Sequence, residues 1–270
     1  MFRSEGYNLV HVEIAAEPLF QIGPFIFTNS MVGAVLASLL LLLATLWLSR
    51  RATLVPGRFQ ALVEFPIEWL AGIVRETGGK RWAEFAGLVI AIFLFVLVAN
   101  LIGLLPGVGV VGVTVETAHG EEALVSFVRA AGADLNFTLG LAIVAFVAFI
   151  AWGIRANGVR GYLKELLIAE PAYMTPLLTP IHIISELSRL ISLSMRLFGN
   201  VFAGEVLLSV MLVLAGLFIP VAFLGFELLV AFVQALVFAL LTMTYITLAI
   251  AEHRHHDSGD PEASPAPGPA

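Results

Sequence analysis

The sequence predicts an all-α, polytopic membrane protein with five membrane segments, and three observations carry that prediction. Of 270 residues, 59% are hydrophobic and only 13% charged, with a mean hydropathy of +0.97; such a composition belongs to a membrane chain and not to a soluble domain with a large core. Five apolar runs are each long enough to cross about 30 Å of hydrocarbon as helices. The last two greatly exceed that length, which makes them a strongly inclined helical hairpin in place of two upright spans.

Three runs have ordinary length: Met31–Leu48, Phe85–Leu105 and Leu135–Trp152. Pro180–Leu217 and Pro220–Ala251 follow, and at 1.5 Å per residue they extend roughly 57 Å and 48 Å. Tilts of about 20° do not absorb the excess. These helices are therefore expected either about 50–60° from the membrane normal or broken. Thr179 and Pro180 fit an N-cap followed by proline at the first helical position, and Gly216 with Pro220 marks the turn of the hairpin.

The loops set the orientation. Arg50, Arg51, Arg58, Arg75, Lys80 and Arg81 follow the first span, and Arg155, Arg160 and Lys164 follow the third; the segment after the second has Arg129 alone, beside Glu116, Glu121 and Glu122. The positive-inside rule makes the first and third of these segments cytoplasmic and the second external. Residues 1–30 read as an external N-terminal segment, 31–252 as one membrane domain, and 253–270 as a disordered cytoplasmic tail. The tail histidines His253, His255 and His256 read as compositional and not as metal ligands. Glu5, Glu13 and Glu17 interrupt the N-terminal apolar residues, so no cleaved signal peptide is expected there.

Several function classes fall away. No cysteine is present, which removes disulfides, thiolate metal sites and cysteine nucleophiles. The formal charge of −6 is spread over loops and termini and forms no basic patch for nucleic acid. There is no HExxH, no GxSxG and no P-loop spacing, so neither an intramembrane hydrolase nor ATP chemistry is supported, and no cofactor or metal is expected. A secondary transporter predicts inverted repeats and broken helices, yet the long hairpin has no second copy.

Arg196 is the candidate functional residue. About sixteen residues of apolar helix precede it and about twenty-one follow, so it is not a helix-end arginine snorkelling to the interface. A guanidinium at that depth costs at least about 2.5–3.5 kcal/mol. Helical spacing places Arg189, Ser192, Gly199, Asn200 and Ala203 on its face and Glu205 on the opposite one. Glu186, three residues before Arg189, is the natural partner of that arginine, so Arg196 keeps no carboxylate in its own helix. Ser185, Ser188, Ser192, Gly199 and Ala203 form a small-residue stripe that admits another helix closely. An unpaired arginine within such a stripe reads as a docking site for a helix bearing a carboxylate.

Antiparallel pairing brings Arg196 and Gln234 to similar depth. Glu205, Glu227, Asn100, Asp134 and Asn136 all fall on the external half and define an external polar pocket. His182, Ser185, Glu186 and Ser188, with Thr242, Tyr245 and Thr247, lie on the cytoplasmic side. For Asn100, Asn136, Thr242 and Tyr245, interhelical hydrogen bonding and a place in a polar path both stand open. Glu205 and Glu227 cost more to bury, which favours a proton relay.

The segments SLSMRLFGNVFAGEVLL and QALVFALLTMTYITLA, with FVLVANLIGLLPG around Asn100 and GADLNFTL around Asp134, resemble the membrane-embedded subunit a of the rotary F-type ATP synthase. The resemblance covers all five membrane segments and leaves the termini and the segment Gly107–Ala133 as variable parts. It implies that Arg196 is the essential stator arginine, and that Glu205, Glu227, Gln234, Asn200 and Asp134 occupy polar channel positions. It implies as partners the ring of c subunits, each with one carboxylate, the b subunits of the peripheral stalk, and the lipid bilayer of an energy-transducing membrane, the bacterial cell membrane above all. Glu227 stands where other members carry histidine or glycine. Whether the ion is a proton or sodium stays open, because it depends largely on the ring.

Overall fold

The computed structural model describes residues 16–23, 25–51, 53, 56–105, 108, 112–116, 122–167, 175–216 and 218–251. The expected disordered tail, with its three histidines, and half of the expected N-terminal segment lie outside them. Six helices dominate: α1 (Asn29–Arg51), α2 (Arg58–Thr77), α3 (Trp82–Gly103), α4 (Leu135–Leu167), α5 (Thr175–Ala215) and α6 (Phe218–Ala251). Among the described residues, five helices are long and apolar enough to cross a membrane, all but α2. The chain is an all-α polytopic membrane protein.

Two small features were not foreseen. Antiparallel hairpins join β1 (Pro18–Ile22) to β2 (Phe25–Thr28) and β3 (Gly112–Glu116) to β4 (Glu122–Ser126). Their strands are only four or five residues long, too short for a search for long apolar runs to register. The basic segment after the first span is likewise no loop. Glu64, Pro66 and Glu68 interrupt its hydropathy, yet its apolar residues recur at helical spacing. α2 turns Leu70 and Val74 into the core beside Phe85 and Val89, and its Trp69 ring lies 6.0 Å from that of Phe232 on α6.

α3 is apolar on all sides because it is the central helix, with Phe85, Val89, Ile92, Phe93, Val96 and Ala99 buried. α6 packs along it through Ala235, Phe238, Ala239, Met243, Ile246 and Ala249, spaced by three and four. α1 stands at the edge, touching the rest through Ala37 against Ala99, Ile102 and Ala131, while Leu39, Leu40 and Leu43 stay exposed where lipid would cover them.

The long hairpin is continuous, so of the two expectations for it, breaks are absent. The expected N-cap at Thr179 is corrected: α5 begins at Thr175, one turn earlier, and contains Pro180. Pro180 is the sixth residue of the helix, so it forgoes one intrahelical bond, to the Pro176 carbonyl, and the helix continues past it. The turn falls where predicted, with Gly216 in the left-handed region at φ 64°. α4 carries a break instead: Gly158 has φ 71° and ψ 159°, a conformation open essentially to glycine alone, and the Asn157 amide donates to the Ala249 carbonyl at 3.1 Å just before it.

Candidate functional site on the last helical hairpin

α5 has two unlike faces. Leu193, Ser194, Leu197 and Gly204 are buried, and Ser194 shares a 3.1 Å hydrogen bond with the buried Thr138 of α4. Ser185, Ser188, Ser192, Arg196, Gly199, Asn200 and Ala203 are exposed. The small-residue stripe and its arginine therefore look away from the rest of the chain. Arg196 makes no hydrogen bond or ion pair among the described residues.

The other charges of the hairpin fare differently. Arg189 donates to Glu186 at 2.7 Å, as expected, and its guanidinium also sits 5.4 Å from the centre of the Tyr245 ring. Glu205 does not stand alone. Arg129 donates from Nε to both its carboxylate oxygens at 3.0 and 3.1 Å, and a guanidinium nitrogen lies 2.9 Å from Oε2. Glu227, 6% exposed, has no such partner among the described residues; its carboxylate is pressed against Gly204, where a Cβ would collide with it. The hairpin thus holds one unpaired cation facing outward and one unpaired carboxyl facing inward.

The remaining groups expected on the external half gather around one short segment, Arg129–Asp134. Its Arg129 reaches Glu205, and its Gly132 abuts Asn100 and Val201. Asp134 caps α4 by accepting the Asn136 amide N–H at 2.9 Å, and its other oxygen accepts the Ser30 hydroxyl at 2.5 Å. Asn100 is 2% exposed, and neither atom of its amide finds a protein partner among the described residues. Buried amides of that kind are ordinarily satisfied by water. Arg129, Glu205, Asn100, Asp134 and, beside Gly204, Glu227 therefore share one end of the molecule.

Not every expected group joins them. Asn136 and Asn200 are exposed and Gln234 is half-buried, and Gln234 makes no hydrogen bond to Arg196. His182, Ser185 and Ser188 are exposed on the other half of α5. Thr242 and Thr247 spend their hydroxyls on the carbonyls of Phe238 and Met243 one turn back. A small recess between α4, α5 and α6, lined by Ala142, Phe149, Arg189, Leu193 and Tyr245, opens on that side. No group of three or more potential metal ligands occurs among the described residues.

Arg129 was missed as a site residue. Its sequence signal was being the lone basic residue of the acidic segment after the second span, but 76 positions separate it from Glu205, and no local spacing links the two.

Fold and site together define a polytopic helical membrane protein that presents an uncompensated arginine on the outer face of its last hairpin. The family model described as ATP synthase A chain matches residues 31–247. Among curated proteins, the chain is 38% identical to ATP synthase subunit a of Gluconobacter oxydans, over 75% of this chain and 80% of the relative. It is 34% identical to ATP synthase subunit a 2 of a Bradyrhizobium species (86% and 93% covered) and 32% identical to ATP synthase subunit a of Gloeobacter violaceus (91% and 93%). The chain belongs to the ATP synthase subunit a family. It is accordingly a membrane subunit and not the seat of ATP chemistry.

Proposed function

We propose that this chain is the proton-translocating stator subunit of the membrane sector, with two offset half-channels separated by Arg196. The observation that carries the reading is the outward-facing, unpartnered Arg196 within a stripe of exposed small residues. A guanidinium at bilayer depth needs a counter-charge, and the exposed stripe lets a second helix bring one close. The partner of that chemistry is a ring of c subunits bearing one carboxylate each.

The mechanism follows from the cost of charge in lipid. A ring carboxylate is neutral while it faces hydrocarbon and ionises where Arg196 faces it. Protons enter from outside past Glu205, Glu227, Asn100, Asp134 and Asn136, neutralise a ring carboxylate, travel nearly a full turn and leave on the cytoplasmic side by way of His182, Ser185, Glu186 and Ser188. Asn200 and Gln234 flank Arg196 at the level where the two paths come closest, and the arginine blocks direct leakage between them. Each charge crossing 100 mV releases about 2.3 kcal/mol, so each ATP requires several protons.

Unbroken helices of 41 and 34 residues extend roughly 61 Å and 51 Å, which supports a hairpin strongly inclined in the membrane and following the ring surface. The b subunits of the peripheral stalk would hold this subunit against rotation, in the inner membrane of a bacterial cell with the N-terminus outside. The deciding experiment reconstitutes the assembled complex in vesicles and replaces Arg196 with Ala. Proton-driven ATP synthesis is expected to fall by about 100-fold or more with assembly intact. Substantial synthesis by correctly assembled Arg196→Ala complexes would refute the reading.

A further inference from the structure

We propose that Arg129 is a positioning residue of the external proton entry, acting through Glu205; the proposal rests on the function proposed above and adds to it a residue outside the long hairpin. Arg129 is 7% exposed, an uncommon state for arginine unless it is paired. Its guanidinium grips both oxygens of Glu205, and the Phe202 ring lies 5.9 Å from its carbon on the same helix. A fork with two acceptors fixes direction as well as distance.

The backbone that presents this guanidinium is itself held on two sides. The Arg129 N–H donates to the Asn29 carbonyl at 3.3 Å, where α1 begins. The Arg129 carbonyl lies so near Gly33 that no Cβ fits between them, and next in sequence Ala130 packs against Gly103 of α3 in the same way. The Arg129 backbone is thus anchored to α1 and α3 while its side chain holds a carboxylate on the helix whose opposite face carries Arg196.

The consequence is a division of labour between neighbouring carboxyls. Glu205 is tethered to Arg129, whereas Glu227, against the adjacent Gly204, has no hydrogen-bond or ion-pair partner among the described residues. The charged groups at this end among the described residues include Arg129, Glu205, Glu227, Asp134 and Glu17; Asp134 is engaged by Ser30 and Asn136, and Glu17 accepts the Asn29 side-chain amide at 3.2 Å, on the residue whose carbonyl accepts the Arg129 N–H. Arg129 holds Glu205 turned towards the segment Arg129–Asp134, at the mouth of the path, and leaves the more deeply buried Glu227 as the free acceptor beside it.

The test measures proton-driven ATP synthesis by vesicles carrying the complete complex, as a function of external proton concentration, with Arg196→Ala as the control that must abolish synthesis. If that control synthesises ATP like the parent, the proposed function itself fails, and the Arg129 variants are not what decided it. Given a silent control, Arg129→Gln is expected to shift the half-saturating proton concentration by about threefold or more, with Arg129→Lys intermediate because one ammonium cannot reproduce the fork. In a Glu205→Gln background neither substitution should shift it further. A change in the maximal rate of synthesis alone, or equal shifts in both backgrounds, would overturn the proposal. Should Arg129→Gln fail to assemble, Arg129→Lys in the two backgrounds decides by the same criterion.

Discussion

At the scale of single residues, Gly204 and Glu227 form the contact with the most specific consequence. A methyl at position 204 would occupy the space of the Glu227 carboxylate, which is the far end of a flexible side chain and not backbone. Gly204→Ala should therefore displace the carboxylate and leave the helix pair standing, because alanine is the better helix former. The expected outcome is full assembly with proton flux reduced by about tenfold, similar to Glu227→Gln. Normal flux in Gly204→Ala vesicles would mean that the exact seat of this carboxylate does not matter. Glu205→Gln should slow proton-driven ATP synthesis less completely than Arg196→Ala, since Asn100, Asp134 and water remain at the same end; two glutamine variants that both sustain normal synthesis would reassign the carboxylates to structural hydrogen bonding.

At the scale of elements, most of the architecture was legible because hydrophobic length announces a crossing by itself. The five spans, the turn at Gly216 and the Glu186–Arg189 pair follow from run length, glycine chemistry and helical spacing, all of which are local. Elements whose signal is not length stayed hidden: α2, with its polar face, and the hairpins β1–β2 and β3–β4. The same division runs through the site. Arg196 stood out because an isolated charge in an apolar run is visible in one line of sequence, whereas Arg129–Glu205 and Ser30–Asp134 join residues 76 and 104 positions apart. Helix ends depend on cap geometry, and so Thr179 was misjudged by a turn.

The long hairpin carries its own prediction. Because α5 and α6 are unbroken, each must leave the membrane or lie across it, and only strong inclination keeps their apolar lengths in hydrocarbon. Spin labels at positions along α5, such as Leu187 and Leu212, read by depth-dependent relaxation in bilayers, should change depth by about half of what an upright helix requires, near 0.8 Å per residue. A gradient close to 1.5 Å per residue along the whole of α5 would exclude the inclined arrangement.

At the scale of the whole molecule, two long-range contacts fix which ends belong together. The Arg129–Glu205 pair places the turn-side half of α5 at the end where α1 begins, and the Asn157–Ala249 hydrogen bond places the far end of α6 beside the Arg155–Arg160 stretch of α4. The Gly216 turn therefore lies at the end opposite Arg50 and Arg160. Basic residues resist translocation across the membrane, so the end with Arg50, Arg58, Arg75, Arg155 and Arg160 is expected in the cytoplasm, and the acidic segment around Glu116 and Glu122 outside. The absence of native cysteine makes this directly measurable. Single cysteines at Phe218 and Asn136 should react with a membrane-impermeant thiol reagent applied from outside to intact cells, whereas cysteines at Arg50 and Arg160 should react only after the membrane is opened. The reverse labelling pattern would invert the molecule and, with it, the assignment of Glu205 and Glu227 to the entry side.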